Sequence, residues 1–241
     1  MKSYSQYGED LIILAALPMI WEATRLRFPE ISQTGTFLDI GAWHPTIFSN
    51  TRALIERGWS GVIIEPSPGP FINLMRACVV CGDVPAEVHV EVDGRMPIPP
   101  MVCAKCGGTR YGVEERLTFI LAGVGLEAGL VQMKATHDAL STSSEAEYQK
   151  WKGLGGFYGR YLCPIITLEQ IQSQFGGHDF INIDAEGVSC DLFLHALQLG
   201  WRPQCFCVEL DKGREHEVLL AATAAGYVAH TTTGNVVLVQ K

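Results

Sequence analysis

Two kinds of apolar pattern alternate along the chain. Short continuous runs of β-prone residues, Thr36–Ile40 (TFLDI), Gly61–Glu65 (GVIIE), Asp179–Ile183 (DFINI) and Gln204–Leu210 (QCFCVEL), read as strands covered on both faces. Between them, Asn50–Arg57, Asp191–Leu199 and Arg214–Ala225 read as amphipathic helices. Each helix stops at a glycine followed by an aromatic residue (Gly58-Trp59, Gly200-Trp201, Gly226-Tyr227), the residue type that closes a last turn most easily. Strands alternating with helices of this length predict a mostly parallel sheet with helices on both faces. Leu117–Ala122 (LTFILA) is a further candidate strand, and Tyr227–Val239 predicts an antiparallel hairpin turning at Thr233-Gly234-Asn235. The apolar stretch Leu11–Trp21 is too short to span a membrane, is broken by Pro18 and follows Glu9 and Asp10 instead of basic residues. It predicts a buried helix.

One segment breaks this rhythm. Between residues 78 and 111 the chain carries Cys78-x-x-Cys81 and Cys103-x-x-Cys106 together with Pro85, Pro97, Pro99 and Pro100. So many prolines exclude a long helix, and the segment reads as an insertion in a domain that otherwise runs over 1–241. Two such pairs, 21 residues apart, predict a structural zinc site, because four thiolates close a tetrahedron and leave no open position. Gly82 and Gly107 directly after the pairs permit the tight turns; free thiols or disulfides are the alternative. His89-x-Glu91 ahead of the second pair also fits part of a zinc-deaminase signature. Only 11 residues and three prolines separate Glu91 from Cys103, which argues against that reading. Cys163, Cys190, Cys205 and Cys207 lack partners at ligand spacing and read as packing residues.

Composition narrows the partners. A chain of 241 residues, 47% hydrophobic and 18% charged, can bury a sizeable core. Its net charge of −8 argues against broad attraction to nucleic acid or an anionic membrane. Paired cysteines at metal spacing suit a reducing compartment, so a cytoplasmic location is expected.

In open α/β sheets ligands bind beyond the carboxyl ends of the strands. There the chain places Asp39-Ile40-Gly41-Ala42-Trp43-His44-Pro45 after the first strand and Glu65-Pro66-Ser67 after the second. Glu65 follows Asp39 by 26 positions, about one strand-helix-strand unit, where a carboxylate can accept both hydroxyls of a ribose. A dinucleotide needs a glycine-rich turn to admit pyrophosphate, yet Gly41 is followed by Ala42, Trp43 and Pro45. S-adenosylmethionine carries no phosphate and a positive sulfonium, and is the expected cofactor. Capping of turns or helices is the bland alternative for both carboxylates.

Ser5-Gln6-Tyr7-Gly8-Glu9-Asp10, Phe37-Leu38-Asp39-Ile40-Gly41-Ala42, Ser49-Asn50-Thr51, Gly58-Trp59-x-Gly61-Val62-x-Ile64-Glu65-Pro66 and Ile183-Asp184-x-Glu186-Gly187 together resemble the FkbM-type methyltransferase family. The resemblance covers the chain outside about 78–111. It implies a Rossmann-like seven-stranded α/β methyltransferase sheet, S-adenosylmethionine as methyl donor, and a hydroxyl oxygen as acceptor. On it the candidate cofactor residues are Gln6, Tyr7, Gly8, Asp39, Gly41, Ala42, Asn50, Glu65, Pro66 and Ser67, with Ala122 at the end of LTFILA. Two positions depart from the family pattern: Trp43 stands where Asn is common, and Ser189 where a second Glu often follows Glu186-Gly187.

Asp184 and Glu186 end the Asp179–Ile183 strand and are the candidates for deprotonating or orienting an acceptor hydroxyl. The alternative for each is a bond to the next helix's N-terminus. His44 and His137 are alternative bases. The expected activity is methyl transfer to a small-molecule or sugar-like hydroxyl. A catalytically degenerate binding module that docks a partner through its zinc ribbon is the alternative, and a nicotinamide oxidoreductase suffers from the missing glycine-rich turn.

Overall fold

The computed structural model describes residues 2–17, 34–84, 103, 105–108, 115–136, 141–143, 145–154, 156–157 and 159–241. Its centre is a seven-stranded sheet of β1 (Thr36–Ile40), β2 (Ser60–Ile64), β3 (Leu117–Ile120), β7 (Phe180–Ile183), β8 (Cys205–Glu209), β9 (Tyr227–Thr231) and β10 (Asn235–Gln240). The order is β3-β2-β1-β7-β8-β10-β9. All neighbours pair in parallel except β10, which runs antiparallel to both β8 and β9. The expected α/β class, the mostly parallel pairing and the C-terminal hairpin are all present.

The strands read as unbroken apolar runs because the middle of the sheet is covered twice. Leu38, Ile40, Ile181, Ile183, Phe206 and Val208 point to one face, where they pack on α5 (Leu168–Phe175), α6 (Ser189–Gln198) and α7 (Glu215–Ala224). Phe37, Ile63, Phe180, Cys205 and Cys207 point to the other face, against the helix over 9–17 (α1), α2 (Arg52–Ile55) and α3 (Pro68–Arg76). Alternate residues of a strand face opposite sides. Each large side chain so buried stabilises the fold by about 1.5–3 kcal/mol. Cys205 and Cys207 are core residues, as their spacing implies. The glycines at 58, 200 and 226 take φ of 85°, 80° and 90° and turn each chain segment out of its helix into the next strand.

The rest of the fold is less evident from the apolar pattern. A second, three-stranded sheet has the order β4-β6-β5, built from β4 (Gly123–Val124), β5 (Gly129–Ala135) and β6 (Gly159–Ile166). Helix α4 (Glu145–Trp151) lies between β5 and β6 in sequence. Helix α2 is shorter than expected, four residues within the Asn50–Arg57 span. Of the stretch Leu11–Trp21, residues 11–17 are helical with Ile13, Leu14 and Leu17 buried, and the remainder lies outside the described residues. Among the described residues no helix is long and apolar enough to cross a membrane.

Candidate functional site

The strand order reverses between β1 and β7, and beyond the carboxyl ends of β1, β2, β7 and β8 lies a cavity of about 470 Å³. This is where an open α/β sheet leaves a crevice, because connections leave adjacent strands in opposite directions. Gln6, Asp39, Gly41, Ala42, Asn50 and Glu65 line it, as do Pro66, Ser67, Ala122, Asp184 and Glu186. Tyr7 and Gly8 are not among its lining residues, and Tyr7 is 47% exposed. The small sheet supplies the facing wall through Val124, Val131, Met133 and Ile165, with Ser141–Ser143 beside it.

Asp39 is fixed by its neighbours across the sheet. Register sets it opposite Asn182 on β7, whose Nδ2 donates to Asp39 Oδ1 at 2.8 Å. Thr51 Oγ1, at the start of α2, donates to the other carboxylate oxygen. Asn50 Nδ2 in turn donates to Asn182 Oδ1 at 2.9 Å, completing a buried polar row. Burial raises the Asp39 pKa above the usual carboxylate range, and the Thr51 and Asn182 bonds only partly oppose it. Glu65, at the end of β2, accepts from the backbone N–H of Ser67 at 2.7 Å and of Trp43 at 2.9 Å. Its pKa is also raised by burial against those amide bonds. Both carboxylates therefore tie loops together as well as facing the cavity.

A second acidic group forms on the β7–β8 side. Ile183 pairs with Val208, so Asp184 and Glu209 leave adjacent strands side by side. Ser189 Oγ donates to Glu209 Oε2 at 3.3 Å and accepts from the Ala185 amide at 2.8 Å. Glu186 stands exposed at the rim. Desolvation, then the charges of Glu209, Glu186 and Asp39, hold Asp184 well above the ordinary carboxylate range. Asp39, Glu65, Asp184, Glu186 and Glu209 all line one cavity, and among the described residues lining it there is no Lys, Arg or His.

The N-terminal segment is anchored at the β9–β10 turn. Glu9 is buried and accepts from Thr232 Oγ1 (2.7 Å) and Asn235 Nδ2 (3.0 Å) at the β9–β10 turn. Asp10 accepts from Ser3, Ser5 and the Tyr4 amide. These bonds leave only Gln6 of the Gln6-Tyr7-Gly8 run on the cavity. His44 is not poised as a base: its Nδ1 accepts from the Thr46 and Ile47 amides at 3.0 and 2.9 Å and so shapes its own turn. Burial lowers its pKa. His137, His89 and Glu91 lie outside the described residues.

The four cysteines of the two pairs converge. Their sulfurs all lie within 4.8 Å of one another, with Cys78–Cys106 and Cys81–Cys106 at 3.4 Å and Cys81–Cys103 at 3.7 Å. A disulfide needs about 2.05 Å. A tetrahedral ion bound at about 2.3 Å holds sulfurs about 3.8 Å apart, so this group can hold one metal ion. The two turns repeat one design: Cys78 N donates to Asp83 O and Gly82 N to Cys78 O, while Cys103 N donates to Gly108 O and Gly107 N to Cys103 O. The proline-bearing stretch between the pairs lies outside the described residues apart from Gly82–Val84.

Asn182 and Glu209 escape a reading of the apolar pattern alone. Glu209 ends QCFCVEL as Asp39 and Glu65 end their strands, so the same grammar could have found it. Asn182 had no signal beyond being polar inside a buried strand. Comparison of the chain with protein-family models, with curated proteins and with solved structures finds no match in any of the three.

Proposed function

We propose that the chain transfers the methyl group of S-adenosylmethionine to a hydroxyl oxygen. The observation that carries this reading is that Asp39 and Glu65, from the ends of adjacent strands, line one cavity at the point where the strand order reverses. The seven-stranded sheet with β10 reversed between β8 and β9 agrees with what the resemblance implies. The lining also fits this cofactor. Its carboxylates suit ribose hydroxyls, an ammonium and a sulfonium, whereas a pyrophosphate would meet acidic groups and no described cation. Glu65 and Asp39 would hold the hydroxyl-bearing and cationic parts, with Ala42, Pro66 and Ala122 offering apolar contact. When bound, the cofactor supplies an electrophilic methyl group.

The protein's own part is placement and proton removal. Asp184 sits where an acceptor hydroxyl can be held, and its raised pKa makes it a stronger base than an ordinary carboxylate. Asp184→Asn is expected to leave cofactor affinity largely intact and to slow turnover by about 10²–10⁴-fold. In the wild type the rate should fall with decreasing pH earlier than for an ordinary carboxylate, because the base is lost as pH drops through a raised pKa. Glu209→Gln removes a like charge and should move that limb to lower pH. Stability carries the opposite sign: a carboxyl with a raised folded pKa loses its stabilising contribution as pH rises through that pKa. Asp184→Asn should therefore raise the Tm at neutral pH while turnover falls; a drop in both would remove Asp184 from the chemistry.

Calorimetry with S-adenosylmethionine and with NAD tests the reading itself. Binding of NAD without binding of S-adenosylmethionine would end it. For the cysteine group we infer zinc in a structural role, since four thiolates complete its tetrahedron. Elemental analysis should find about one zinc per chain.

A further inference from the structure

We infer that the hydroxyl to be methylated is carried by an aromatic ring system: Trp43 and Phe48 line the cavity as an open aromatic face, both in left-handed backbone, on a loop whose polar side chains are bonded back into the protein. This rests on the methyl-transfer reading and adds to it the chemical class of the acceptor.

The two rings lie near-parallel, with planes 28° apart and centroids separated by 5.7 Å. Phe48 is 52% exposed and its neighbour Ile47 47%. A single exposed apolar side chain is ordinary, whereas adjacent large ones at a cavity mark a binding surface. Trp43 holds φ 43° and Phe48 φ 55°, the left-handed region that bulky residues rarely adopt. Such strain has to be imposed by the surroundings, and it gathers at binding sites. Phe48, half open to solvent, gains little from burial to offset it.

The rest of the loop favours an aromatic ring over a sugar. A sugar can lay one face on Trp or Phe, but the hydroxyls around its edge then need hydrogen-bond partners, and each left unmet weakens binding. The polar side chains beside the rings are already engaged. His44 Nδ1 accepts from the Thr46 and Ile47 amides, and Ser49 Oγ accepts from the Arg52 amide at 3.1 Å. Thr51 Oγ1 donates to Asp39, and Asn50 Nδ2 to Asn182. Val131 and Met133 add apolar lining to the same cavity, and a thioether makes favourable contacts with aromatic rings. An aromatic acceptor meets this surface by offset stacking and needs one polar group, the hydroxyl itself.

The test uses the full chain saturated with S-adenosylhomocysteine, the unreactive demethylated cofactor, and calorimetric titration with three probes. These are 2-naphthol, its saturated counterpart decahydro-2-naphthol, and methyl β-glucoside. The naphthol is expected to bind at least about tenfold more tightly than either of the others, and Phe48→Leu or Trp43→Leu should remove most of that preference, with Trp43→Phe restoring part of it. Phe48→Gly, which suits φ 55°, should abolish the preference while leaving the Tm unchanged or higher. Equal binding of the naphthol and its saturated form, tighter binding of the glucoside, or no saturable binding of the naphthol overturns the inference. So does a Phe48→Gly chain that loses stability but keeps the preference, or ring variants that weaken only S-adenosylhomocysteine binding. S-adenosylmethionine is titrated separately without probes: failure there counts against methyl transfer, whereas failure with the naphthol alone counts only against the acceptor class.

Discussion

Gly41→Ala is expected to prevent stable folding, although the change adds a single methyl group. A Cβ at Gly41 would lie 1.8 Å from the Asp184 carbonyl oxygen and 2.8 Å from its carbonyl carbon. These are backbone atoms and cannot swing aside. The Asp184 amide donates to Ile40 O at 2.9 Å and the Gly41 amide to Ile64 O at 2.9 Å, so both sides of the contact belong to the sheet ladder. Gly41 also sits at φ 82°, where any L side chain costs about 1–2 kcal/mol before the clash. Together these place the variant among the most destabilising single changes, beyond about 4 kcal/mol. The measurement is the denaturant midpoint, with Gly69→Ala as the control. Gly69 lies in the first turn of α3 with nothing within 4 Å of its Cβ position, so alanine there should be neutral or slightly stabilising. A Gly41→Ala chain with a near-normal midpoint would mean that β1 and β7 do not meet as described, and Asp39 and Asp184 would lose their common cavity.

Gly41 shows how far the residues could be read in advance. Its position after TFLDI marks the ligand end of a strand, and a cofactor contact is the natural reading. The structure leaves it on the cavity and gives it a further duty, letting the β1 turn approach the β7 turn. The central strands were legible because burial on both faces demands continuous apolar runs, and that demand is local in sequence. The small sheet was not. β5 and β6 pair over seven residues, Gly129↔Ile165 to Ala135↔Gly159, yet carry Gln132, Lys134 and Arg160 and are mostly exposed or half-buried. Nothing in their alternation demands a partner some 30 residues away, and they nevertheless build one wall of the cavity. Helix α3 was not read from the sequence either, although Ser67-Pro68 could have signalled it, since proline is tolerated in a first turn. The acidic strand ends Asp39, Glu65 and Asp184 were legible as a set because each follows an apolar run; the Asp39 partners Thr51 and Asn182 depend on how the turn and the sheet register bring them in, which spacing does not reveal.

Removing the proposed zinc is expected to damage the cavity, even though none of the four cysteines lines it. The first turn of the cysteine group is packed against the segment that leads from β1 into α2. Arg52 is completely buried; its Nη1 donates to Cys78 O at 3.1 Å while Nε and Nη2 hold Glu56. At Gly82, φ 69°, a Cβ would lie 2.2 Å from Thr46 Cγ2, so the Cys78–Gly82 turn closes directly onto the 43–48 loop. That loop carries Trp43 and Phe48, and Ser49, Asn50 and Thr51 follow it to the Asp39 carboxylate. Structural zinc contributes an apparent free energy of about 10–16 kcal/mol to ordering such a piece, more than the turns' few backbone bonds can replace. Once it is lost, the Arg52 guanidinium keeps a buried charge with one acceptor fewer, which is costly. Chelation, or Cys103→Ser at a buried ligand, should lower the Tm by more than about 10 °C. It should also weaken S-adenosylmethionine binding at least about tenfold, and by reciprocity bound cofactor should tighten metal binding by the same factor. Gly82→Ala offers an independent test, because it leaves all four thiols in place while pressing on Thr46. It should weaken cofactor binding with zinc still present. If chelation strips about one ion per chain and leaves both Tm and cofactor affinity unchanged, the cysteine group is an independent appendage and the 43–51 segment is held by the sheet alone.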